Sequence, residues 1–223
     1  MTKELCWIIH KDLLCEYRGR RVWPAMVVLG AVVVLILAIQ MGLLPEQKQQ
    51  ICGGMLWLAI FFAAVLTLDR SFAAEHDDGC WHAMQLYGVT PTTVYLAKVL
   101  VNVVWITAIE ALLIPLFIVL ADVPLLRHPA ELSIVVLLGN IGLAAAGTLL
   151  GAITAGLRKG GNLTAMVVLP VTFPQLMAAA EATRLLTAES VDATCWRWVQ
   201  LLALFAVVFL VAGAALVDFV VEE

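Results

Sequence analysis

Six nearly uncharged apolar runs constrain this sequence more than any other feature. They cover approximately residues 22–44, 51–68, 96–121, 132–157, 162–182 and 198–219. A helix needs about 20 mostly apolar residues to cross roughly 30 Å of hydrocarbon. Because lipid offers the backbone no hydrogen-bond partners, each run must be helical, and the alternating pattern of a β-barrel is not visible. We therefore predict an all-α membrane protein with six transmembrane helices in a single domain, residues 1–223.

The composition supports a chain that is surrounded by lipid. Hydrophobic residues make up 63% of the chain and charged residues only 13%. A soluble domain averages about half apolar and a quarter charged residues, and a small globule cannot hide such a surplus. The net charge is −4, and no basic stretch resembles a nucleic-acid footprint. We expect the lipid bilayer as a partner and no nucleic acid.

The distribution of lysine and arginine predicts the orientation. Cytoplasmic loops of membrane proteins carry an excess of these residues. If the N-terminus is cytoplasmic, six spans place both termini there, and the outer connections are 45–50, 122–131 and 183–197. The cytoplasmic side then holds Lys3, Lys11, Arg18, Arg20, Arg21, Arg70, Lys98, Arg158 and Lys159, and the outer side holds Lys48, Arg127, Arg184 and Arg197. This excess on one side favours the orientation chosen.

Residues 1–21 precede the first span and have a weakly amphipathic pattern. The residues near one face are Leu5, Ile8, Ile9 and Leu13. Asp12 interrupts this face, and Trp7 and Leu14 lie opposite. We interpret the segment as an interfacial helix along the inner leaflet. The alternative is a soluble leader that only orients the first span.

The segment 68–98 predicts a short cytoplasmic helix between spans two and three. The second span is the shortest, and its helix could continue into the polar run that follows. Gly79 offers a break, and residues 79–87 then form a transverse helix. Thr90–Pro91 supplies an N-cap followed by proline at the first helical position, which begins the third span.

The sequence lacks the motifs of an enzyme. It contains no P-loop, no HExxH and no GxSxG, and paired catalytic groups are missing from the spans. We therefore predict a non-catalytic subunit without catalytic, cofactor-binding or metal-binding residues. One cluster could suggest a metal, but its spacing matches no defensible motif and favours a solvated loop. Its members are His76, Asp77, Asp78 and His82.

Glu110 is the sole acidic residue deep in a predicted span. A charge at this depth costs roughly 2.5–3.5 kcal/mol, so the side chain should face protein or a water-filled cavity. Pro115 follows five residues later and should bend the helix. Two interpretations stay open: a substrate-path or switch residue, or a hydrogen bond to a neighbouring helix.

Small residues and prolines mark two further spans. Gly147, Gly151 and Ala155 are spaced as GxxxGxxxA, which allows another helix to approach closely. Pro170 and Pro174 in the fifth span free backbone carbonyl groups and bend the helix. Such prolines are typical of proteins that move and also of static bundles, and we favour motion.

Two blocks, 68–98 and 156–175, resemble the haem exporter protein B (CcmB) family. This family is the membrane subunit of the ABC-type complex of bacterial cytochrome c maturation. The matching features are Asp69–Arg70 followed by Ser71–Phe72, Glu75 with Gly79, the stretch Tyr95–Lys98, and RKGGNL followed by LP and a further proline. Chain length and span count agree with the family.

The resemblance implies an ABC exporter-type permease in the bacterial inner membrane. ATP would be bound by a separate CcmA-like ATPase, and further partners would be CcmC-like and CcmD-like membrane proteins, the CcmE-like periplasmic haem chaperone and a second permease copy. Haem would be the cargo of the complex. The expected ATPase-coupling interface consists of Arg70, Glu75, Asp78, Gly79, Trp81 and His82.

Alternatives to this function stay open at the level of sequence. The chain could be a permease for a lipid or drug, or a scaffold that organises a complex without moving. Only His128 on the predicted outer face is a strong axial ligand for haem, and no histidine lies in any span. The sequence therefore favours energy coupling over a haem conduit.

Overall fold

All regular secondary structure in the described part of the chain is helical, which confirms the all-α fold class. The computed structural model describes residues 2–19, 23–40, 45–77, 90–156 and 163–221. Its helices are α1 (Thr2–Gly19), α2 (Trp23–Gln40), α3 (Pro45–Asp77), α4 (Pro91–Ala121), a short 3-10 helix (Leu125–Arg127), α5 (Pro129–Gly156), α6 (Leu163–Leu185) and α7 (Ala193–Val221).

Four of the described helices are long and apolar enough to cross a membrane. The qualifying stretches are Gln47–Val65, Pro91–Ala121, Pro129–Thr154 and Ala193–Asp218, and α2 contributes a shorter apolar stretch, Pro24–Ile39. The chain is therefore a multi-pass membrane protein. The count of six spans stays a prediction.

Several helices extend beyond the predicted spans. Helix α3 begins at Pro45, so residues 45–50, which were predicted as an outer connection, form the first turns of the helix. At its other end α3 continues to Asp77, through the polar run. Hydrophobicity identifies only the part of a helix that crosses lipid, whereas the backbone hydrogen bonds of a helix continue through polar turns.

Helix α5 lies at the centre of the bundle. It packs against α3, α4, α6 and α7, and it is the most buried of the four long apolar stretches. Every residue from Gly142 to Leu149 is buried. Most of these residues are glycine or alanine, and small side chains allow helix backbones to approach closely in a membrane.

Glycines on α5 accommodate large side chains of its neighbours. A Cβ atom at Gly139 would overlap the indole ring of Trp57 on α3, and one at Gly147 would overlap Leu68 on the same helix. Gly151 is also buried, whereas the side chain of Ala155 lies outside the described residues. The close approach at Gly147 supports the view that this face of α5 packs against another helix.

The neighbouring glycines Gly53 and Gly54 of α3 provide a matched test of the packing between α3 and α6. A Cβ atom at Gly53 would overlap the backbone carbonyl oxygen of Ala180, whereas one at Gly54 would meet nothing within 4 Å. Both substitutions to alanine favour the helix by about 1 kcal/mol. We expect Gly53→Ala to lower the melting temperature in detergent and Gly54→Ala to leave it equal or higher. Equal stability of the two variants would contradict the described packing.

Candidate functional site

Helix α4 begins immediately after the segment in which the cytoplasmic helix is predicted. Thr90 has extended backbone angles, with φ −71° and ψ 141°, and Pro91 follows as the first helical residue. This start confirms the prediction made from Thr90–Pro91. The Thr90 hydroxyl group lies 2.8 Å from that of Thr93. The extended conformation and the proline together fix the point at which the chain enters the bundle.

The first turn of α4 is attached to the last turns of α7. The hydroxyl group of Thr92 lies 3.1 Å from Oδ1 of Asp218, and it also lies 3.5 Å from the backbone oxygen of Ala214. The C-terminal carbonyl end of α7 and the N-terminal end of α4 therefore meet at the same end of the bundle. Thr92 is therefore in direct contact with α7, through Ala214 and Asp218.

Tyr95 connects α4 to two further helices from inside the bundle. The residue is fully buried, and its hydroxyl group lies 3.1 Å from the carbonyl oxygens of Ala145 on α5 and Phe209 on α7. The hydroxyl group has one hydrogen, which is shared between the two oxygens. A Cβ atom at Gly213 would overlap this hydroxyl group, so the glycine of α7 makes room for it. Tyr95 therefore fixes α4 against both neighbours one turn above Thr92.

Lys98 and Asp12 connect α4 to the N-terminal helix. The Lys98 side chain is only 4% exposed, and its Nζ lies 3.6 Å from Oδ2 of Asp12. Lys11 lies 3.1 Å from the other carboxylate oxygen. Asp12 interrupts the apolar face of α1 because it is the partner of a buried lysine. Removing one partner of such a pair leaves an uncompensated buried charge, which is strongly destabilising.

The apolar residues of the same face of α1 pack against the first turns of α4. Ile8 is 5% exposed and forms a small cluster with Val94 and Ala97, and Leu5 and Ile9 pack at its edge. Helix α1 therefore rests on α4. Its position along the inner leaflet stays a prediction.

Polar side chains connect α4 to α5 inside the bundle. Nδ2 of Asn102 donates to the hydroxyl oxygen of Thr148 over 2.9 Å. Nδ2 of Asn140 donates to the hydroxyl oxygen of Thr107 over 3.0 Å and to Oε2 of Glu110. Hydrogen bonds between membrane helices contribute about 0.6 kcal/mol each on average, so the set holds the helices in register without locking them. We call these contacts, together with Tyr95 to Ala145, the α4–α5 seam.

Glu110 faces protein, as its depth in the span requires. The residue is 1% exposed and Asn140 is fully buried. Glu110 lies 11 residues before the end of α4 at Ala121, which is about 16 Å along a helix axis, close to half the hydrocarbon thickness. The interpretation as a hydrogen bond to a neighbouring helix therefore describes its contact. Pro115 lies within α4 on its exposed face.

The two prolines of α6 also lie away from the core. Pro170 and Pro174 are exposed, whereas Gln175 beside them is buried and donates from Nε2 to the carbonyl oxygen of Gly139 over 2.8 Å. A Cβ atom at Gly142 would overlap the Gln175 amide. Helix α6 therefore presents its prolines outward while a single amide fixes it to α5.

The side chains of the predicted ATPase-coupling interface lie outside the described residues. Arg70 and Glu75 belong to the last turns of α3, where side chains lie outside the described residues. Asp78, Gly79, Trp81 and His82 lie outside them entirely. The same holds for the side chains of the cluster His76, Asp77, Asp78 and His82. Among the side chains that are described, no group of three histidine, cysteine or acidic residues could hold a metal ion.

Comparison with known proteins adds a family and several relatives. The family model described as CcmB protein matches residues 3–221. Heme exporter protein B of Rhodobacter capsulatus is 34% identical over 181 residues, which cover 79% of this chain and 81% of the relative. The protein of the same name from Pseudomonas aeruginosa is 29% identical over 68% of each chain. That of Paracoccus denitrificans is 35% identical over 64% of this chain and 66% of the relative.

The ion pair of Asp12 and Lys98 can be tested by charge exchange. In a variant without the five native cysteines, we expect Ile8→Cys to react slowly with a maleimide because the position is buried. Asp12→Lys should make the reaction several-fold faster, since two lysines then repel and α1 leaves α4. The exchange Asp12→Lys with Lys98→Asp should restore slow labelling. Trp7→Cys, at a position 74% exposed, serves as the control that reacts quickly throughout. Protection of Ile8→Cys in the single Asp12→Lys variant would contradict the described attachment.

Proposed function

Since the chain belongs to the CcmB protein family, we propose that it is the transmembrane subunit of an ATP-driven complex for cytochrome c maturation. The observation that carries the proposal is the family match over residues 3–221, on a chain that is a multi-pass helical membrane protein. In this role the subunit couples ATP hydrolysis to haem delivery, or to release of the periplasmic haem chaperone. The reaction on ATP belongs to a CcmA-like partner, and the sequence of this chain contains no P-loop.

The proposed topology has six spans, formed by α2 to α7, in the bacterial inner membrane. Both termini are cytoplasmic, and residues 1–223 form one permease domain. The excess of lysine and arginine on the proposed cytoplasmic side, nine residues against four, supports this orientation. Lys11 and Lys98 meet at the α1 end of the bundle. At the opposite end, Lys48 donates to the last carbonyl group of α4 and Arg127 donates to the carbonyl oxygen of Thr187.

The ATPase docks, in this proposal, on the cytoplasmic segment 79–87 and on the end of α3. Its contacts are Arg70, Glu75, Asp78, Gly79, Trp81 and His82. The position of α4 supports the choice, because Pro91 begins the helix directly after this segment. Any displacement of residues 79–87 is delivered to Thr92, Tyr95 and Lys98 within the first two turns.

From the first turns of α4 the motion spreads to the rest of the bundle. Thr92 and Tyr95 act on α7, Lys98 acts on α1, and the α4–α5 seam acts on the central helix. Closure of two ATPase subunits would then rock two permease copies against each other, a rigid-body change that ATP favours through differential contacts. Glu110, Pro115, Pro170 and Pro174 are the candidate switch positions. The three prolines lie on exposed faces, where a change in bend meets little steric resistance.

Energy coupling is a better role for this subunit than conduction of haem. Histidine is a strong axial ligand for haem iron, and a haem conduit would be expected to place histidines along the path. His128 lies at the outer connection, where its Nε2 is 3.2 Å from the carbonyl oxygen of Ala188. No histidine lies in any of the six predicted spans. Haem is therefore the cargo of the complex, handled by CcmC-like and CcmD-like partners and the CcmE-like chaperone.

A pull-down from native membranes in mild detergent tests this function. We expect mass spectrometry to recover a P-loop ATPase together with a haem-handling membrane protein. Recovery of an ATPase without a haem-handling protein would support a permease whose substrate is not haem. Absence of any ATPase, under conditions that preserve other membrane complexes, would favour the scaffold.

The same pull-down locates the ATPase interface. Glu75→Lys and Trp81→Asp should each reduce recovery of the ATPase at least several-fold while leaving the haem-handling partner bound. Glu75→Lys reverses a charge and Trp81→Asp places a carboxylate in the proposed interface, and either change lowers the affinity for the ATPase. Glu189→Lys, a charge reversal in the exposed connection between α6 and α7, is the matched control and should retain the ATPase. Full recovery with both interface variants would place the ATPase elsewhere.

A further inference from the structure

Glu110 and Asn140 leave an unusual pair of oxygen atoms without donors. Oε1 of Glu110 and Oδ1 of Asn140 are buried and accept no hydrogen bond within the described part of the chain. The other atoms of both groups are engaged, because Nδ2 of Asn140 donates to Oε2 of Glu110 and to Thr107. A buried acceptor without a donor costs about 1–3 kcal/mol, so two adjacent ones call for a physical explanation.

None of the cationic side chains that the structure describes forms an ion pair with Glu110. Between Lys98 and Asp122, Glu110 is the sole charged residue of α4, and residues 132–156 of α5 contain no charge. The other helices that pack on α4 are α1, α2, α3 and α7. Among the described side chains, the charged or titratable groups of these helices are Cys6, His10, Lys11, Asp12 and Cys15 on α1, Lys48 and Cys52 on α3, and Cys195, Arg197 and Asp218 on α7. His10 lines a cavity beside Trp105 and Ala108 of α4, but the one side chain that is hydrogen-bonded to Glu110 among those described is Asn140. On α4 itself the other titratable group is Tyr95, one turn before Lys98.

A single proton resolves both observations. A neutral carboxylic acid has one O–H donor and one carbonyl acceptor, and a primary amide has the complementary pair. With the proton on Oε1, the acid donates to Oδ1 of Asn140 while Nδ2 donates back to Oε2. The second hydrogen of Nδ2 remains available for Thr107, as the structure has it. Turning the amide over would place Oδ1 against a carboxyl oxygen, so that orientation also requires a proton on Glu110.

We infer that Glu110 is a proton-binding site, in which the neutral carboxylic acid forms a reciprocal pair of hydrogen bonds with the amide of Asn140. The pair closes the middle of the α4–α5 seam. Because Glu110 is 1% exposed and Asn140 is fully buried, the proton exchanges with water only when α4 and α5 separate at this level. In contact with water a glutamic acid side chain ionises well below neutral pH. Opening of the seam therefore releases the proton and closing takes it up again.

Infrared spectroscopy of the purified chain in lipid nanodiscs at neutral pH tests the inference. We expect a carbonyl stretching band of a protonated carboxylic acid. The band should shift to lower frequency when glutamate is labelled with ¹³C at the side-chain carboxyl carbon, and it should be absent from the spectrum of Glu110→Gln. Glu131→Gln, at the start of α5, is the matched control and should retain the band. The measurement needs neither the ATPase nor haem, so its result is independent of the proposed function.

A second variant leaves Glu110 in place and tests the pairing. In Asn140→Leu the carboxyl loses both amide contacts, so the acid band should remain and move to higher frequency. Glutamate carbonyl intensity confined to the carboxylate region in the unmodified chain would overturn the inference, and would indicate a water that donates to both oxygens. Identical acid bands in the unmodified chain and in Glu110→Gln would overturn it as well. An unchanged band position in Asn140→Leu would overturn the reciprocal pair.

Discussion

The absence of hydrogen-bond partners in lipid is the constraint on which the rest of this structure depends. Polar groups that enter the membrane must be satisfied by other helices, and the described side chains meet this requirement mainly around α4. Tyr95, Asn102 and Glu110 each contact a polar group of α5. Individually such contacts are weak, so a seam built from several of them keeps its register and can still be rearranged. This combination suits the displacement that the proposed function assigns to the first turns of α4.

The two sides of this seam differ in their packing. Helix α5 is buried on most of its circumference by small residues, and it is surrounded by α3, α4, α6 and α7. Helix α4 exposes one apolar face with Pro115 on it, and its first turns are attached to α1, α5 and α7 by Lys98, Tyr95 and Thr92. In the proposed function the central helix is the fixed element and α4 is the element that moves. The proposed function would use that asymmetry, since a subunit driven by a separate ATPase must carry motion from that partner into the membrane.

Long apolar runs predicted the helical class of this fold, and the features that they missed have physical reasons. The helical class follows directly from long apolar runs, and Thr90–Pro91 predicted the start of α4 through local backbone chemistry. The helical form of residues 45–50 was not predicted, because polar residues are compatible with a helix that continues past the lipid boundary. Glu110 could be singled out because it is a charge in a span. Its partner Asn140 could not, because which residue of α5 faces it depends on the angle and register of two packed helices.

Other contacts left weaker signals in the sequence. Lys98 stands in the first turns of a predicted span, where a basic residue requires a partner, and Asp12 stands in an otherwise apolar face of α1. Each residue is a charge within an apolar pattern, and the ion pair between them accounts for both. Gln175 and Tyr95 are polar groups within apolar runs in the same way. The assignment of pairs required the three-dimensional arrangement, which a single sequence does not contain.

The central claim is that ATP-driven motion displaces α4 against α5. Cysteines at positions 102 and 148, whose native side chains meet at 2.9 Å, allow the two helices to be joined by oxidation in the assembled complex. The measurement is ATP-dependent release of the haem chaperone before oxidation, after oxidation and after reduction. The account predicts that oxidation abolishes release without dissociating the ATPase, and that reduction restores it. Undiminished release from the fully oxidised complex would show that α4 and α5 move as one body, and would contradict the account.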